Sequence, residues 1–322
     1  MCEFITAGGF NHADLPASLV QEGELMRDAL LRDLSQLPYQ ISTTVDARLA
    51  RPEFCDDCAG IYAHDNAWDI WQQQIRQADA VWLIAPETDD LLKKLTQLAV
   101  LQGKPILGCG IAGLEMASQK LATCLALTKA QIHTIASYTI ENWPGIDGQW
   151  VVKPNDGAGC ADTLYIEKAD AVVDWIAHNH RIHNHVIQPY QHGVAASISC
   201  VMHQGRAYVL SCNKQWISIE NNVFHYAGSQ VNGMQHLWDQ FELLAQKIAE
   251  SEMDLNGYIG IDVIVKADDA IVVVEINPRL TTSYAGLAQA TGQNPAQLVI
   301  NALTQADFKW PALQRHIVDI HV

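Results

Sequence analysis

The chain has 322 residues and carries 20 Lys and Arg against 36 Asp and Glu, which gives a formal net charge of −16 at pH 7. This length exceeds one typical domain and predicts two or three structural units. The negative charge argues against nucleic acid as a partner, because a phosphate backbone favours clustered cations. No apolar run approaches the roughly 18 to 20 residues of a membrane span, and the start MCEFITAGGF does not resemble a signal peptide. We therefore expect a soluble cytoplasmic protein with no membrane partner.

Alternating strands and helices are predicted for residues 1–112. The segment CEFITA is typical of a short strand, and a helix is predicted after Asp14 as its N-cap. The apolar residues on one face of that helix are Leu15, Leu19, Met26, Leu30 and Leu34. Two further apolar segments, residues 80–86 and 104–109, are predicted strands with the helical segment 88–102 between them. This order predicts a small parallel sheet covered by helices.

Eight cysteines are spread along the chain, and a chain of this size does not need disulfides to hold its core. We expect reduced thiols. Only Cys55 and Cys58 have the spacing of metal ligands, and no second pair follows them, although His64 does. An exposed loop is the preferred interpretation of this segment, and a zinc site is the alternative.

Three glycines, Gly108, Gly110 and Gly113, match the GxGxxG pattern of dinucleotide-binding proteins. That pattern normally belongs to the first strand–helix unit and is followed about 20 residues later by an acid that binds the ribose. Here the next acid after Glu115 is Glu141. The preferred interpretation is close packing of a helix after a strand, and a nicotinamide dehydrogenase is the weaker alternative.

The pattern changes near residue 150 to paired apolar segments with short turns. These segments are residues 149–160, 185–193, 196–219 and 257–279. Their short connections predict an antiparallel sheet, so this part of the chain should be α+β rather than parallel α/β.

The last paired segment predicts a site. A hairpin centred on Asp268 and Asp269 would place Asp262 directly opposite Glu275, with Asn277 on the same face. Val274 and Ile276 are then expected to point into the core. Facing carboxylates, with Cβ atoms roughly 5 Å apart, repel unless a cation lies between them.

Asp262, Glu275 and Asn277 offer oxygen ligands only, which favours Mg²⁺ or Mn²⁺ over zinc and allows nucleotide phosphates to complete the ion's shell. Two exposed acids at a solvated strand end are the alternative. Lys153, at the end of an apolar strand, and the following Gly157 and Gly159 could supply a cation and backbone donors to such phosphates. An ordinary hairpin loop explains the lysine and glycines equally well.

Four motifs in this order resemble the ATP-grasp ligases: Lys120 in ASQKLAT, Lys153 with its glycine-rich flap, the hinge VIQPYQHG, and the metal motif that ends in EIN. The resemblance covers roughly residues 110–310. It implies an N-terminal α/β domain (1–112), a small lobe (113–190) and a C-terminal lobe with the metal site (191–322), the two lobes enclosing the nucleotide between antiparallel sheets. The ATP-binding residues that it implies are Lys120, Lys153, Gly157, Gly159, Gln188, Pro189 and Tyr190.

Further segments, EFITAGG, IAPETDDLL and EINPRLTTSYAGL, resemble the tyramine–glutamate ligases of methanofuran biosynthesis and their bacterial relatives. This resemblance implies amide formation through an acyl phosphate, with glutamate as the carboxylate and tyramine or a related aromatic amine such as tyrosine as the acceptor. Lys153 and Arg279 would be catalytic, and Arg279, Thr281 and Ser283 would bind substrate. A salt bridge is the alternative for Arg279, and loop polarity is the alternative for residues 281–284.

The hinge departs from the family pattern at Pro189, where glutamate is common, and at Ala195 and Ala196, where an acid commonly follows. Backbone groups of residues 188–190 would remain to contact adenine. A non-catalytic nucleotide-binding module and a ligase for another amino-acid pair therefore stay open as alternatives. The sequence leaves the oligomeric state open, although a homodimer is the common default.

Overall fold

The computed structural model describes residues 1–157, 160–179, 184–251 and 253–322. Gly159, one of the two predicted flap glycines, lies outside the described residues. The helices in these ranges are α1 (Ala17–Ser35), α2 (Ala67–Gln77), α3 (Leu91–Leu101), α4 (Ile111–Ala117), α5 (Lys120–Lys129), α6 (Ala169–His178), α7 (Trp238–Ala249), α8 (Leu287–Thr291) and α9 (Pro295–Thr304). None of them is both long and apolar enough to cross a membrane.

The strands fall into two short parallel pairs and one large sheet. They are β1 (Cys2–Glu3), β2 (Ser42–Asp46), β3 (Asp57–Ile61), β4 (Leu83–Ile84), β5 (Trp150–Pro154), β6 (Leu164–Ile166), β7 (His185–Pro189), β8 (Val194–His203), β9 (Arg206–Glu220), β10 (Val223–Val231), β11 (Gly257–Val265), β12 (Ile271–Asn277) and β13 (Val318–His321).

The first third of the chain is parallel α/β as predicted, with β1 beside β4 and β2 beside β3. Its strands are shorter than expected. After β1 the chain turns into a helical segment, Ile5–Gly9, because the Glu3 carboxylate accepts the Thr6 N–H at 2.7 Å. The strand expected at 104–109 is reduced to one parallel bridge between Val81 and Ile106.

Helix α1 differs from its prediction at its start. It begins after Pro16, and no side chain caps it, so Asp14 is not the N-cap. Leu19, in the first turn, is exposed, whereas Met26, Leu30 and Leu34 are buried as expected. The buried face therefore begins in the middle of the helix.

The segment that contains Cys55 and Cys58 is not simply a loop, because Cys58 lies in β3. The residues of β3 do not alternate between apolar and polar, so the sequence did not predict a strand there. The strand forms because it pairs with β2. All eight cysteines are free thiols. Among the described residues, no three His, Cys, Asp or Glu side chains form a metal-ligating group.

Gly113 packs α4 closely against the loop before β11. A Cβ atom on Gly113 would lie 2.5 Å from the Asp254 carbonyl oxygen and 2.5 Å from Cys109 Sγ, so no larger residue fits without a shift. This contact supports the packing interpretation of the GxGxxG pattern.

Within the described residues, nine strands form one antiparallel sheet in the order β12-β11-β8-β9-β10-β6-β5-β7, with β13 also paired to β10. The predicted antiparallel segments are confirmed. A single residue pair, Val223 with Leu164, joins β10 to β6. Beyond that junction, β5, β6, β7 and α6 have a small core of their own, which includes Trp150, Val152 and Ile187.

The hairpin of β11 and β12 has the predicted pairing at the site, with Asp262 opposite Glu275. Its turn has an odd number of residues: Lys266 N–H bonds Ala270 O, and Asp269 adopts a left-handed φ of 59°. That turn alone would pair Asp262 with Val274. A bulge between Asp262 and Val263 shifts the register by one residue, and it is this bulge that brings the two acids face to face.

Candidate active site

A cleft of about 200 Å³ lies over the large sheet and receives side chains from α1, the β5–β7 part and the β11–β12 hairpin. Of the predicted site residues, those that line it are Lys153, Gln188, Pro189, Tyr190, Asp262, Glu275, Asn277, Arg279, Thr281 and Ser283. We call the part around residues 188–190 the hinge end and the part around residues 279–283 the loop end. Val274, expected in the core, also lines the cleft, because it is the extra residue of the bulge.

Asp262 is held by two amide groups. Asn277 Nδ2 donates to its Oδ2 at 2.9 Å, and Gln215 Nε2 donates to its Oδ1 at 2.8 Å. Burial and the nearby charge of Glu275 raise the pKa of Asp262. The carboxylate is thus oriented by neutral donors and lacks a cation in contact with it among the described side chains.

Glu275 is held by two lysines. Lys153 Nζ lies 3.3 Å and Lys120 Nζ 3.6 Å from the same oxygen, Oε2. Burial opposes ionisation of Glu275, but the two ammonium charges hold its pKa well below the usual range. Lys120 also donates to the Gly157 carbonyl at 2.6 Å, so the first helical residue of α5 is tied to the flap.

The hinge end is apolar and aromatic. The Tyr190 ring packs edge-on to Tyr165, with centroids 5.1 Å apart, and lies near Phe224. Gln188 Nε2 donates to Ser137 Oγ at 2.7 Å. The Tyr190 N–H is donated to the Gln149 carbonyl, and Pro189 has no N–H, so in this arrangement neither residue offers a free backbone N–H to adenine.

The loop end is dominated by a buried ion pair. Arg279 donates Nε and Nη2 to the two carboxylate oxygens of Glu87 at 2.9 and 3.0 Å, and Nη1 to the Leu280 carbonyl at 3.0 Å. The two side chains are 10% and 4% exposed. Arg279 therefore forms a salt bridge and lines the cleft at the same time, but the salt bridge is not on the surface.

The loop after Arg279 forms a helical turn, Thr282–Gly286. Thr281, Thr282 and Ser283 line the cleft, and each hydroxyl has a hydroxyl partner; the partners are Tyr258, Tyr226 and Ser229, at 3.0, 2.7 and 3.1 Å. Tyr284 was expected with this group but lies in the core, because the turn directs it against the Tyr258 ring.

Two family models match the chain: the pre ATP-grasp 3 domain over residues 39–112 and the ATP-grasp domain over residues 117–283. The chain belongs to the ATP-grasp family. The two tyramine–L-glutamate ligases that it resembles come from Methanocaldococcus jannaschii and Methanocaldococcus fervens. Each is 27% identical to this chain; the alignments cover 96% and 92% of this chain and 90% and 91% of the relatives.

Solved structures share the fold. An ATP-grasp superfamily protein from Archaeoglobus fulgidus superposes with a TM-score of 0.71 at 22% identity, over 99% of this chain and 98% of that chain. The L-amino acid ligase from Bacillus licheniformis gives a TM-score of 0.67 at 16% identity, over 88% and 72%. The predicted ATP-grasp fold is thus confirmed.

The donor set of this ATP-grasp protein fits a hard divalent cation. Asp262 and Glu275 face each other, and the hydrogen bond from Asn277 Nδ2 leaves the amide oxygen of Asn277 as a third oxygen ligand. In the structure, Lys120 and Lys153 hold Glu275. A polyphosphate would attract these ammonium groups and release carboxylate oxygen for the ion.

Three polar residues of this ATP-grasp protein were not predicted from the sequence: Gln215 and Glu22, which line the cleft, and Glu87, which binds the cleft residue Arg279. Gln215 is one of several polar residues in a long strand, and Glu22 lies in a helix whose pattern indicated packing, so neither carries a signal in the sequence. Glu87 does: it follows β4, and ligands of parallel sheets bind beyond the carboxyl ends of strands.

Proposed function

We propose that the protein is an ATP-dependent carboxylate–amine ligase that joins glutamate to tyramine or a related aromatic amine such as tyrosine. The observation that carries this proposal is the charge cluster of the cleft. Lys120 and Lys153 both contact Glu275 Oε2, and Asp262 lies opposite Glu275. Such a cluster offers cations for the phosphates of a nucleoside triphosphate and carboxylates for its metal ion. The two tyramine–L-glutamate ligases, aligned over nearly the whole chain, support the choice of substrates.

We assign nucleotide binding to both sides of the cleft. Lys120 and Lys153 would bind the α- and β-phosphates, and the flap residues Gly157 and Gly159 would close over them. The base would lie at the hinge end, where the rings of Tyr190 and Phe224 line the cleft with apolar surface. Bound Mg²⁺, held by Asp262, Glu275 and Asn277, would neutralise charge on the phosphates; Mn²⁺ is the alternative ion.

The proposed reaction has two steps. A carboxylate oxygen of glutamate attacks the γ-phosphorus of ATP, the bond to ADP breaks, and an acyl phosphate forms. The amine then attacks the acyl carbon, the carbon–oxygen bond to phosphate breaks, and the amine loses a proton to give the amide. Positioning and electrostatic stabilisation would supply most of the catalysis, as in phosphoryl transfer generally.

Arg279 would act at the transferred group. Its guanidinium has five N–H donors, of which three are used by Glu87 and Leu280, so two remain for the acyl phosphate or a substrate carboxylate. Glu87 would hold the fork in a fixed orientation. Thr281 and Ser283 would contact substrate through hydroxyls that already lie at the cleft wall.

We also infer a cytoplasmic location, small molecules as the only reaction partners, and a homodimer as the default assembly. The division at residues 112 and 190 remains our proposal for the domain boundaries. The gap between the two family-model matches, 39–112 and 117–283, supports the first boundary.

A non-catalytic nucleotide-binding protein is the second candidate. One observation favours it: at the hinge end, neither the Tyr190 N–H, already donated to Gln149, nor Pro189 can donate to a base. A non-catalytic protein of this kind would bind ATP without releasing ADP.

Release of ADP from ATP and Mg²⁺ distinguishes the candidates. The assay contains glutamate with tyramine, with tyrosine or with no amine, and Glu275→Gln serves as the inactive control. We expect amine-dependent ADP and a mass-spectrometric amide product that are both lost in Glu275→Gln. ATP binding without ADP release under any pairing would favour the second candidate or a ligase for another pair.

A further inference from the structure

Glu22 brings an unassigned carboxylate into the cleft. It lies on α1, is partly buried, and lines the loop end together with Arg279 and Thr282. Within the part of the chain that the structure describes, its carboxylate has no hydrogen-bond or ion-pair partner. The side chain thus faces the cleft with its acceptor atoms free.

The position of Glu22 is fixed by the packing of its neighbour. A Cβ atom on Gly23 would lie 2.7 Å from Glu3 Oε2, so α1 approaches this buried carboxylate as closely as a glycine allows. Glu3 is itself held by the N–H groups of Ile5 and Thr6. Farther along, α1 packs on the turn Thr282–Gly286. Glu22 therefore projects from a supported helix, not from a loop.

The charges around Glu22 are unbalanced. Burial raises its pKa, and the charge of Arg279 lowers it by less. Arg279 donates Nε and Nη2, one edge of its guanidinium, to both carboxylate oxygens of Glu87, so that pair is close to neutral as a unit. The two lysines of the cleft are bound to Glu275. One negative charge is left at the loop end, half withdrawn from water.

We propose that Glu22 binds the ammonium group of the amino-acid substrate. This inference rests on the proposed ligase function and adds a subsite to it. A cation bound there offsets the cost of withdrawing the carboxylate from water. An ammonium group has three donors, and the hydroxyls of Thr282 and Ser283 at the same end are acceptors within the same wall. Arg279 would then bind a carboxylate of the zwitterionic substrate, and Glu22 would bind its ammonium group.

A pair of ligands that differ only in the ammonium group tests the proposal. Glutamate and glutarate are titrated calorimetrically into the protein loaded with Mg²⁺ and a non-hydrolysable ATP analogue. The variants are Glu22→Gln and, as a matched control, Glu24→Gln. Glu24 is on the same helix, is 38% exposed, and pairs with Arg27 at 3.5 Å. Thermal melting verifies that each variant is folded.

We expect wild type and Glu24→Gln to bind glutamate more tightly than glutarate. In Glu22→Gln, glutamate affinity should fall by about 10- to 100-fold, as for a lost hydrogen bond to a charged group. Its glutarate affinity should stay unchanged. The ratio of the two affinities is therefore the diagnostic quantity.

Two outcomes would overturn the assignment. In one, wild type binds glutamate no better than glutarate; in the other, Glu22→Gln weakens the binding of glutamate and glutarate equally. A failure of the proposed ligase activity is seen separately, as absence of ADP release by wild type. The binding preference needs no turnover and is measured in either case.

Discussion

Glu87 and Arg279 are 192 residues apart in the chain, yet two hydrogen bonds of 2.9 and 3.0 Å join them beside the loop end of the cleft. The same loop contacts the flap, because the Asp89 N–H is donated to Asp156 Oδ2 at 3.0 Å. Asp89 and Asp90 both have left-handed φ values, 55° and 58°, which cost conformational energy in a non-glycine residue. A strained loop of the N-terminal part thus touches both the arginine and the flap.

Glu87→Gln should destabilise the fold and slow the reaction. Removing one partner of a buried pair leaves the Arg279 charge uncompensated, which costs about 3 to 5 kcal/mol. Denaturant unfolding measures this free energy, and kcat reports the loss of the oriented fork. Glu115→Gln is the control: Glu115 is 58% exposed and lies 4.0 Å from Lys93, so about 1 kcal/mol or less is expected. Equal effects of the two substitutions would contradict the account.

Lys153→Met should impair nucleotide binding selectively. The variant loses the phosphate contact that we propose for Lys153 and one of the two ammonium charges that hold Glu275 ionised. We expect KM for ATP to rise by about 10-fold or more, as for a lost charge-assisted contact, with KM for the amine little changed. Lys168→Met, at an exposed position, should resemble wild type. A rise in the amine KM alone would contradict the role given to Lys153.

Gly113→Ala should lower stability without a specific effect on nucleotide affinity. The added Cβ would lie 2.5 Å from the Asp254 carbonyl oxygen, and overpacking of this kind costs about 1 to 3 kcal/mol. Gly110→Ala is the matched control, since among the described residues, its chain neighbours aside, no atom lies within 4 Å of its Cβ position. Thermal unfolding and ATP titration measure both effects. Loss of ATP affinity with unchanged stability would instead mean that the GxGxxG segment binds the nucleotide.

The facing acids could be predicted because a hairpin and the alternation of side chains are local properties of the sequence. The pairing of Asp262 with Glu275 is confirmed, but the reasoning behind it was incomplete. The turn has an odd length, and the bulge at Val274 compensates for it. A bulge depends on packing on both faces of the sheet, so a short sequence pattern does not predict it.

Contacts between distant segments could not be predicted. The pair of Glu87 and Arg279 joins a loop after β4 to the end of β12, and nothing in either segment indicates the other. The strands β2 and β3 were likewise missed, because short parallel strands with polar residues are specified by tertiary pairing. The cleft is therefore predictable where it is built by one hairpin and unpredictable where three segments meet.

Transfer of oxygen from the carboxylate to phosphate tests the central claim most directly. The reaction is run with ATP, Mg²⁺, tyramine and glutamate whose carboxylates carry ¹⁸O, and the phosphate released is analysed by mass spectrometry. An acyl-phosphate mechanism predicts one ¹⁸O atom in each phosphate released, with ADP as the nucleotide product. Unlabelled phosphate, or label in AMP, would contradict ligation through an acyl phosphate in this cleft.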